Sequence, residues 1–497
     1  MALEAEPARA SVAEEGAWRA TGFLAIVLSL AFCVAAVVPR TGWPSPGFLR
    51  QARNSPEPRT AWPPPRFLRK AGSRPYPTRH DGEVTLHQLD TQRYGGALCM
   101  DGSPGAFYFR RAPRNQTSDK WLIMLEGGGW CFSPADCAVR AKNGFGSSRA
   151  SPVRSTGDAT TLGGFASFDC SVSPEFCEYN HVSLVYCDGT SFSGDLRMPF
   201  MYYEDRVNWT DGRWYRTQQA IHFRGKQILH SVIDTLLEDF SMSQAGDVLF
   251  AGCSAGALGV VLNADAVRAQ IEAKAPGLRK FGAVPCSGFF LDHANLEGNR
   301  VFASGFATSV KMANWTLPDS TCAGDLGPMH SWKCRLPEIA LRYVRTPTFV
   351  INSALDQWQT GSILCGGYLY GSGPSAAELP GWDSCAHDVT TCSAKELPQM
   401  NAYIDSFEAA IRAASSLNMT GNGAFIHACH WHCEATSNAP YNHFQVGGVT
   451  MRQALVDWWS SGFSDSAAAH SHFERGRYET PGALANPSCT KHEDNIR

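Results

Sequence analysis

The pentapeptide Gly252-Cys253-Ser254-Ala255-Gly256 constrains this chain more than any other stretch. Before it lies Asp247-Val248-Leu249-Phe250-Ala251, an apolar run that reads as a buried strand. After it, Leu258, Val261, Leu262, Ala264, Val267 and Ile271 recur at helical spacing. A strand, a G-x-S-x-G turn and a helix together make a nucleophile elbow. The two glycines let the backbone turn sharply and leave room beside the serine, so that its hydroxyl projects from the sheet edge. Gly, Ser and Ala are common turn residues, and a structural turn is the bland alternative. The flanking strand and helix weigh against it.

Other runs extend the pattern. Trp121–Leu125, His181–Tyr186, Thr348–Asn352 and Ala424–Ile426 read as strands, while Ile228 to Leu237 and Met451 to Trp459 have helical spacing. Strands alternating with helices predict a mostly parallel sheet with helices on both faces, an α/β-hydrolase-like fold. The spacing bounds a catalytic domain over 81–463. From about Ser464 the apolar periodicity fades, and 464–497 reads as a loose tail that Cys489 could tether.

A serine hydroxyl is a poor nucleophile at neutral pH and needs a base, normally histidine, oriented by a carboxylate. In this fold the partners follow in the order Ser, Asp, His, each on a loop after a strand. Asp356 follows the 348–352 strand. His427, His430 and His432 follow the 424–426 strand, and one of the three is the base. A lone Asp or His in a loop is usually a solvated or capping group; the order and placement of both raise these two above that level. An oxyanion needs bare backbone amides, and Gly127-Gly128-Gly129 directly after a strand supplies them, with the amide of Ala255 as a further donor.

With 44% hydrophobic residues and 14 Trp, the 497-residue chain is rich enough in apolar groups for a folded body. The net charge of −3 conceals a split: −2 over residues 1–38, +8 over 39–80 and −9 beyond. A body of that sign gives no reason to expect nucleic-acid binding. Thr21–Val38 is uncharged and apolar or small throughout, either a cleaved secretory leader or an uncleaved signal anchor that would tether the protein to a membrane. Residues 39–80, with Trp62-Pro63-Pro64-Pro65, read as an extended stem or linker. Seventeen cysteines and sequons at Asn115, Asn208, Asn314 and Asn418 favour an oxidising, secretory route, ending outside the cell or at a lumenal membrane face.

The motifs in order resemble the pectin acetylesterase family, the group that includes the Notum-type carboxylesterases. The resemblance rests on Leu125-Glu126-Gly127-Gly128-Gly129-Trp130-Cys131, Tyr186-Cys187-Asp188-Gly189-Thr190, His222-Phe223-Arg224-Gly225, the elbow, Asn352-Ser353-Ala354-Leu355-Asp356-Gln357-Trp358-Gln359 and Cys429-His430-Trp431-His432-Cys433. It spans about Cys99 to Trp459 and is closer to the plant-type polysaccharide esterases. It implies Ser254 as nucleophile, Asp356 as orienting acid, His432 as base, and Gly128, Gly129 and Ala255 as oxyanion donors. It also implies disulfides Cys131–Cys137 and Cys99–Cys187, no metal or organic cofactor, and an acetylated polysaccharide substrate; a long-chain acyl ester on a secreted protein is the runner-up. Ala257 where a glycine is usual, His427 and His430, and the aromatic-rich 200–220 segment depart from the plant pattern. Two rivals compete: a zinc site on Cys429, His430, His432 and Cys433, and a carbohydrate-binding protein without catalysis, stacking sugars on Trp130, Trp315, Trp358 and the 201–215 aromatics.

Overall fold

The computed structural model describes residues 84–113, 118–149, 163–208, 210–316, 320–366, 381–414 and 419–490. The leader or anchor expected over 1–38 and the linker over 39–80 lie outside them. Among the described residues the strands are β1 (Thr85–Gln88), β2 (Ala106–Arg110), β3 (Lys120–Leu125), β4 (Asn180–Leu184), β5 (Phe200–Val207), β6 (Trp214–Ile221), β7 (Asp247–Cys253), β8 (Lys280–Cys286), β9 (Phe349–Ser353), β10 (Gly423–His427), β11 (Gln445–Val446), β12 (Val449–Thr450) and β13 (Ser471–Phe473). Nine of them form one sheet in the order β1-β2-β4-β3-β7-β8-β9-β10-β13. From β4 to β13 every pairing is parallel, whereas β1 and β2 join antiparallel at one edge.

The unbroken apolar strands follow from burial on both faces. Ile123, Val248, Phe250, Val350 and Ile426 pack with side chains of α2 (Gly225–Asp239) and α3 (Ala255–Glu272) in one core cluster. The intervening Leu122, Leu249, Phe349, Ile351 and Phe425 pack in a second cluster with Leu455 and Trp458 of the helix Met451–Ser460. Each such side chain, fully withdrawn from water, contributes about 2 kcal/mol. Consecutive residues thus serve opposite layers, and α/β-hydrolase layering results.

Two regions stand apart from the sequence expectations. The segment from Ser464 is not loose: Ser471–Phe473 enters the sheet as β13 beside β10, and a disulfide ties Cys489 to Cys429. A three-residue edge strand is specified by backbone pairing rather than by side-chain periodicity, so its sequence carries no strand signal. The aromatic-rich 200–220 segment forms a separate two-stranded ribbon, β5 with β6, outside the central sheet. Asn208 lies exposed at the ribbon's turn and Asn314 lies exposed just after α4 (Val301–Met312); Asn115 and Asn418 fall outside the described residues. Among the described residues no helix is long and apolar enough to cross a membrane.

Candidate active site

Strand β7 ends at Cys253 and α3 begins at Ala255, so the whole reversal falls on Ser254, whose backbone sits at φ 59°, ψ −127°. A non-glycine residue held there is strained, and such strain persists only where the surroundings dictate it. The surroundings are crowded backbone. A Cβ on Gly252 would lie 2.5 Å from the Gly256 carbonyl oxygen, and one on Gly256 would lie 2.1 Å from that of Leu125. The tight reversal of the elbow on itself therefore fixes Gly252, and its close approach to the end of β3 fixes Gly256. Ala257, the departure from the usual glycine, is accommodated across the interface: a Cβ on Gly288 would meet the Ala257 methyl at 2.4 Å.

The loop after β3 faces the elbow. Gly127 passes so near that a Cβ there would lie 2.8 Å from that of Ser254, and Gly128 and Gly129 take φ of 144° and 64°. Its carbonyls are held from behind. Arg140, at the end of a short helix α1 (Pro134–Arg140), donates to Gly128 O at 2.8 Å, and the Tyr186 hydroxyl donates to Gly129 O at 2.7 Å. A trans peptide points its N–H opposite to its C=O. These anchors turn the amides of Gly129 and Trp130 away from Arg140 and Tyr186, and both Gly129 and Trp130 line the cavity that holds Ser254. The Trp130 amide, which sequence reading passed over, thereby joins Gly128, Gly129 and Ala255 among the candidate donors. Ala255, at the first position of α3, has one of the early helical amides with no intrahelical acceptor, at the positive end of the helix dipole.

Asp356 follows β9 and is fully buried; its Oδ1 caps the next turn by accepting from Gln359 N, and its Oδ2 lies 2.8 Å from His432 Nδ1. With Nδ1–H donating to the carboxylate, Nε2 is left to accept a proton. Burial works against the imidazolium, but the charge and hydrogen bond of Asp356 outweigh it and hold His432 above the ordinary imidazole value. Burial also lifts the Asp356 carboxyl above ordinary carboxylates, with His432 opposing the shift. The other two histidines are occupied elsewhere. His430 contacts the Thr360 hydroxyl at 2.9 Å. His427 accepts from Cys429 N through Nδ1 and reaches Glu434 Oε1 at 3.1 Å through Nε2. Only His432 of the three is paired with Asp356.

Behind this pair lies a polar chain that sequence reading did not find. Glu434, fully buried, accepts from the Ser287 hydroxyl at 2.6 Å, and Ser287 Oγ in turn accepts from Cys433 N at 2.8 Å. Burial opposes the Glu434 charge, yet the hydrogen bond and charge of His427 hold its carboxyl below the usual range. A disulfide joins Cys253, just before the serine, to Cys433, just after the histidine. Cys99–Cys187 and Cys131–Cys137 are also bonded. Cys429 and Cys433, both needed as thiolates by the zinc rival, are committed to disulfides.

Ser254, His432, Gly128, Gly129 and Trp130 line one cavity of about 460 Å³, walled by Phe302 and Trp358 among other aromatics. No hydrogen bond joins the Ser254 hydroxyl to His432 or to another partner among the described residues, although both side chains belong to the lining of this cavity. Trp315, by contrast, is 1% exposed and packs on Phe306 as core, so it offers no platform to a sugar.

A Pectinacetylesterase family model matches residues 78–474. Pectin acetylesterase 11 of Arabidopsis thaliana is 29% identical over 414 residues, covering 82% of this chain and 92% of that one. The palmitoleoyl-protein carboxylesterase NOTUM of Schmidtea mediterranea is 30% identical over 271 residues, 52% of this chain and 46% of that one. The solved structure of the Wnt deacylase Notum from Drosophila superposes with a TM-score of 0.60 at 23% identity, covering 82% of this chain and all of that one, which establishes a shared fold.

Proposed function

The chain belongs to the pectinacetylesterase family and is a carboxylic ester hydrolase; from that premise we propose that Ser254, His432 and Asp356 carry the reaction. His432 Nε2 takes the Ser254 proton as Oγ attacks the ester carbonyl carbon. The oxyanion forms against the backbone amides of Gly128, Gly129 and Ala255, with that of Trp130 beside them. His432 then gives the proton to the departing alcohol oxygen, leaving an acyl-serine. Water, deprotonated by the same nitrogen, attacks that carbonyl and releases the acid and free serine. Asp356 keeps the Nδ1–H tautomer and stabilises the imidazolium that each half-reaction creates. The observation that carries this reading is the 2.8 Å Asp356–His432 pair opening onto the same cavity as Ser254.

The substrate is an acetyl ester on a pectin-like polysaccharide, releasing acetate. The plant pectin acetylesterases support this by aligning over 82% of the chain, whereas the Notum relative aligns over about half. The aromatic walls favour a second reading, a longer acyl chain held against Phe302 and Trp358. Seven disulfides among the described residues support folding in an oxidising compartment. The enzyme then acts in the secretory pathway or outside the cell, with residues 1–38 as leader or membrane tether, 39–80 as stem, and glycans on exposed Asn208 and Asn314.

The test compares acetyl and octanoyl esters of one chromogenic alcohol on the 81–497 body and its Ser254→Ala form. We expect acetate preference, and a loss of kcat of roughly 10⁴-fold or more in the variant with unchanged folding. Octanoate preference selects the longer-acyl reading, and retained turnover by Ser254→Ala removes the mechanism.

A further inference from the structure

Helix α4 has two working faces. Phe302 looks into the catalytic cavity and Phe306 packs on Trp130. Residues 300, 303, 304, 307, 308 and 311 share a different face, and there, with Trp332, Lys333 and Asp292, they line a second, open cavity of about 380 Å³. The two cavities are thus separated by little more than one helix, about 10 Å across with its side chains.

The second cavity is cationic in a body whose net charge beyond residue 80 is −9. Arg300 and Lys333 are held in place by one carboxylate, Asp292, at 2.6 and 3.6 Å. Lys311 has no ion-pair partner among the described residues. Glu338 also faces these cations, but desolvation and the charge of Asp292 push its carboxyl up to about 7, so it adds little negative charge in mildly acidic solution. Trp332 is half-buried, with the Lys333 ammonium 5.6 Å from the centre of its ring, and lines the same cavity. Two oriented cations, a third with no ion-pair partner among the described residues, and an aromatic side chain suit a ring bearing a carboxylate. A neutral sugar or a fatty acyl chain would leave the charges idle.

We propose that this cavity is a subsite for a uronate carboxylate, engaging the polysaccharide a few sugar units away from the acetyl ester held at Ser254. The inference rests on the polysaccharide reading above and deepens it by locating, across α4 from Ser254, where a carboxylate of the polymer is held. The bound chain would cross α4, with Lys311 and Lys333 on one carboxylate and Trp332 beneath a ring.

The test uses the full protein, Lys311→Glu and Lys311→Gln, with two readouts. Calorimetry measures binding of deacetylated oligogalacturonate and of its methyl-esterified, uncharged form. Kinetics measures the ratio of kcat/KM on acetylated polygalacturonate to that on a small neutral acetyl ester. We expect Lys311→Glu to weaken oligogalacturonate binding and lower the ratio about tenfold, Lys311→Gln to do so less, and the methyl-esterified oligomer to bind all three proteins equally weakly. Equal binding of oligogalacturonate to all three proteins, or none to the unaltered one, overturns the subsite even if the polymer is deacetylated. Lys311-dependent binding without polymer deacetylation leaves the subsite standing and overturns the polysaccharide reading instead.

Discussion

The nucleophile elbow and the β5–β6 ribbon both turn on a glycine, and the two glycines sit in opposite surroundings. Gly256, in the first turn of α3, is pressed against the end of β3, where an added Cβ would come within 2.1 Å of the Leu125 carbonyl oxygen and 2.6 Å of that of Glu126. Gly212, in the ribbon's turn, has φ +70° and nothing within 4 Å of where a Cβ would be. One glycine answers to tertiary packing, the other to local backbone conformation alone. The same division runs through the neighbouring residues. The elbow is tied by a disulfide to the histidine loop and by backbone contact to the oxyanion loop. The ribbon pairs chiefly with itself and exposes Tyr203, Trp214 and Tyr215. The region that performs chemistry is over-determined, and the region open to solvent is free to vary.

The sharpest way to break that comparison is Gly256→Ala. The clash is with backbone, which cannot rotate aside, so either α3 shifts or the elbow opens. We expect loss of soluble folded protein, or a fold with esterase activity reduced more than 10³-fold. An active, stable Gly256→Ala enzyme would show that the elbow is looser than its contacts indicate.

Glu434→Gln tests the layer beneath. The buried carboxylate faces His427 and Ser287, and its charge favours protonation of His432. Because its folded-state pKa is depressed, the stability it contributes is present at neutral pH and lost as pH falls through that lowered value. With His432 as the proposed base, its neutral form is the active one, so activity should rise with pH through a midpoint held above that of ordinary imidazole. Removing the Glu434 charge should move that midpoint downward and reduce kcat about tenfold, while a purely structural role would lower stability and leave the midpoint in place. A pH–rate profile of kcat/KM alongside thermal unfolding separates the two.

The two regions also differ in how far the sequence disclosed them. Ser254, Asp356 and the glycine loop were legible because each stands directly after an apolar strand, where chain order and geometry coincide. Choosing His432 over His427 and His430 required the resemblance, since all three follow the same strand; the structure separates them by their partners. Glu434 was invisible: an acidic residue in a loop reads as solvated, and only the fold buries it against a histidine seven residues earlier. Cys253–Cys433 was equally hidden, because pairing across 180 residues leaves no local trace. The anchors Arg140 and Tyr186 act on carbonyls, and carbonyls have no sequence identity. The ribbon could be seen as a departure, but not as a hairpin, because its alternation is masked by charge and aromatic residues on both faces.

Gly212→Ala is the counterpart with the smallest expected effect. No neighbour obstructs the new methyl, so the only penalty is holding alanine at positive φ, about 1 kcal/mol. That strain is confined to a turn whose residues Asn208 and Arg213 hydrogen-bond to each other, so it should fray the hairpin tip without reaching the cavity at Ser254. Unfolding should shift by a degree or two in a body of this size, with kcat on a small acetyl ester unchanged. A fall in kcat comparable to that of Gly256→Ala would mean that ribbon and elbow move together, and that the exposed aromatics of β5 and β6 belong to the catalytic unit after all.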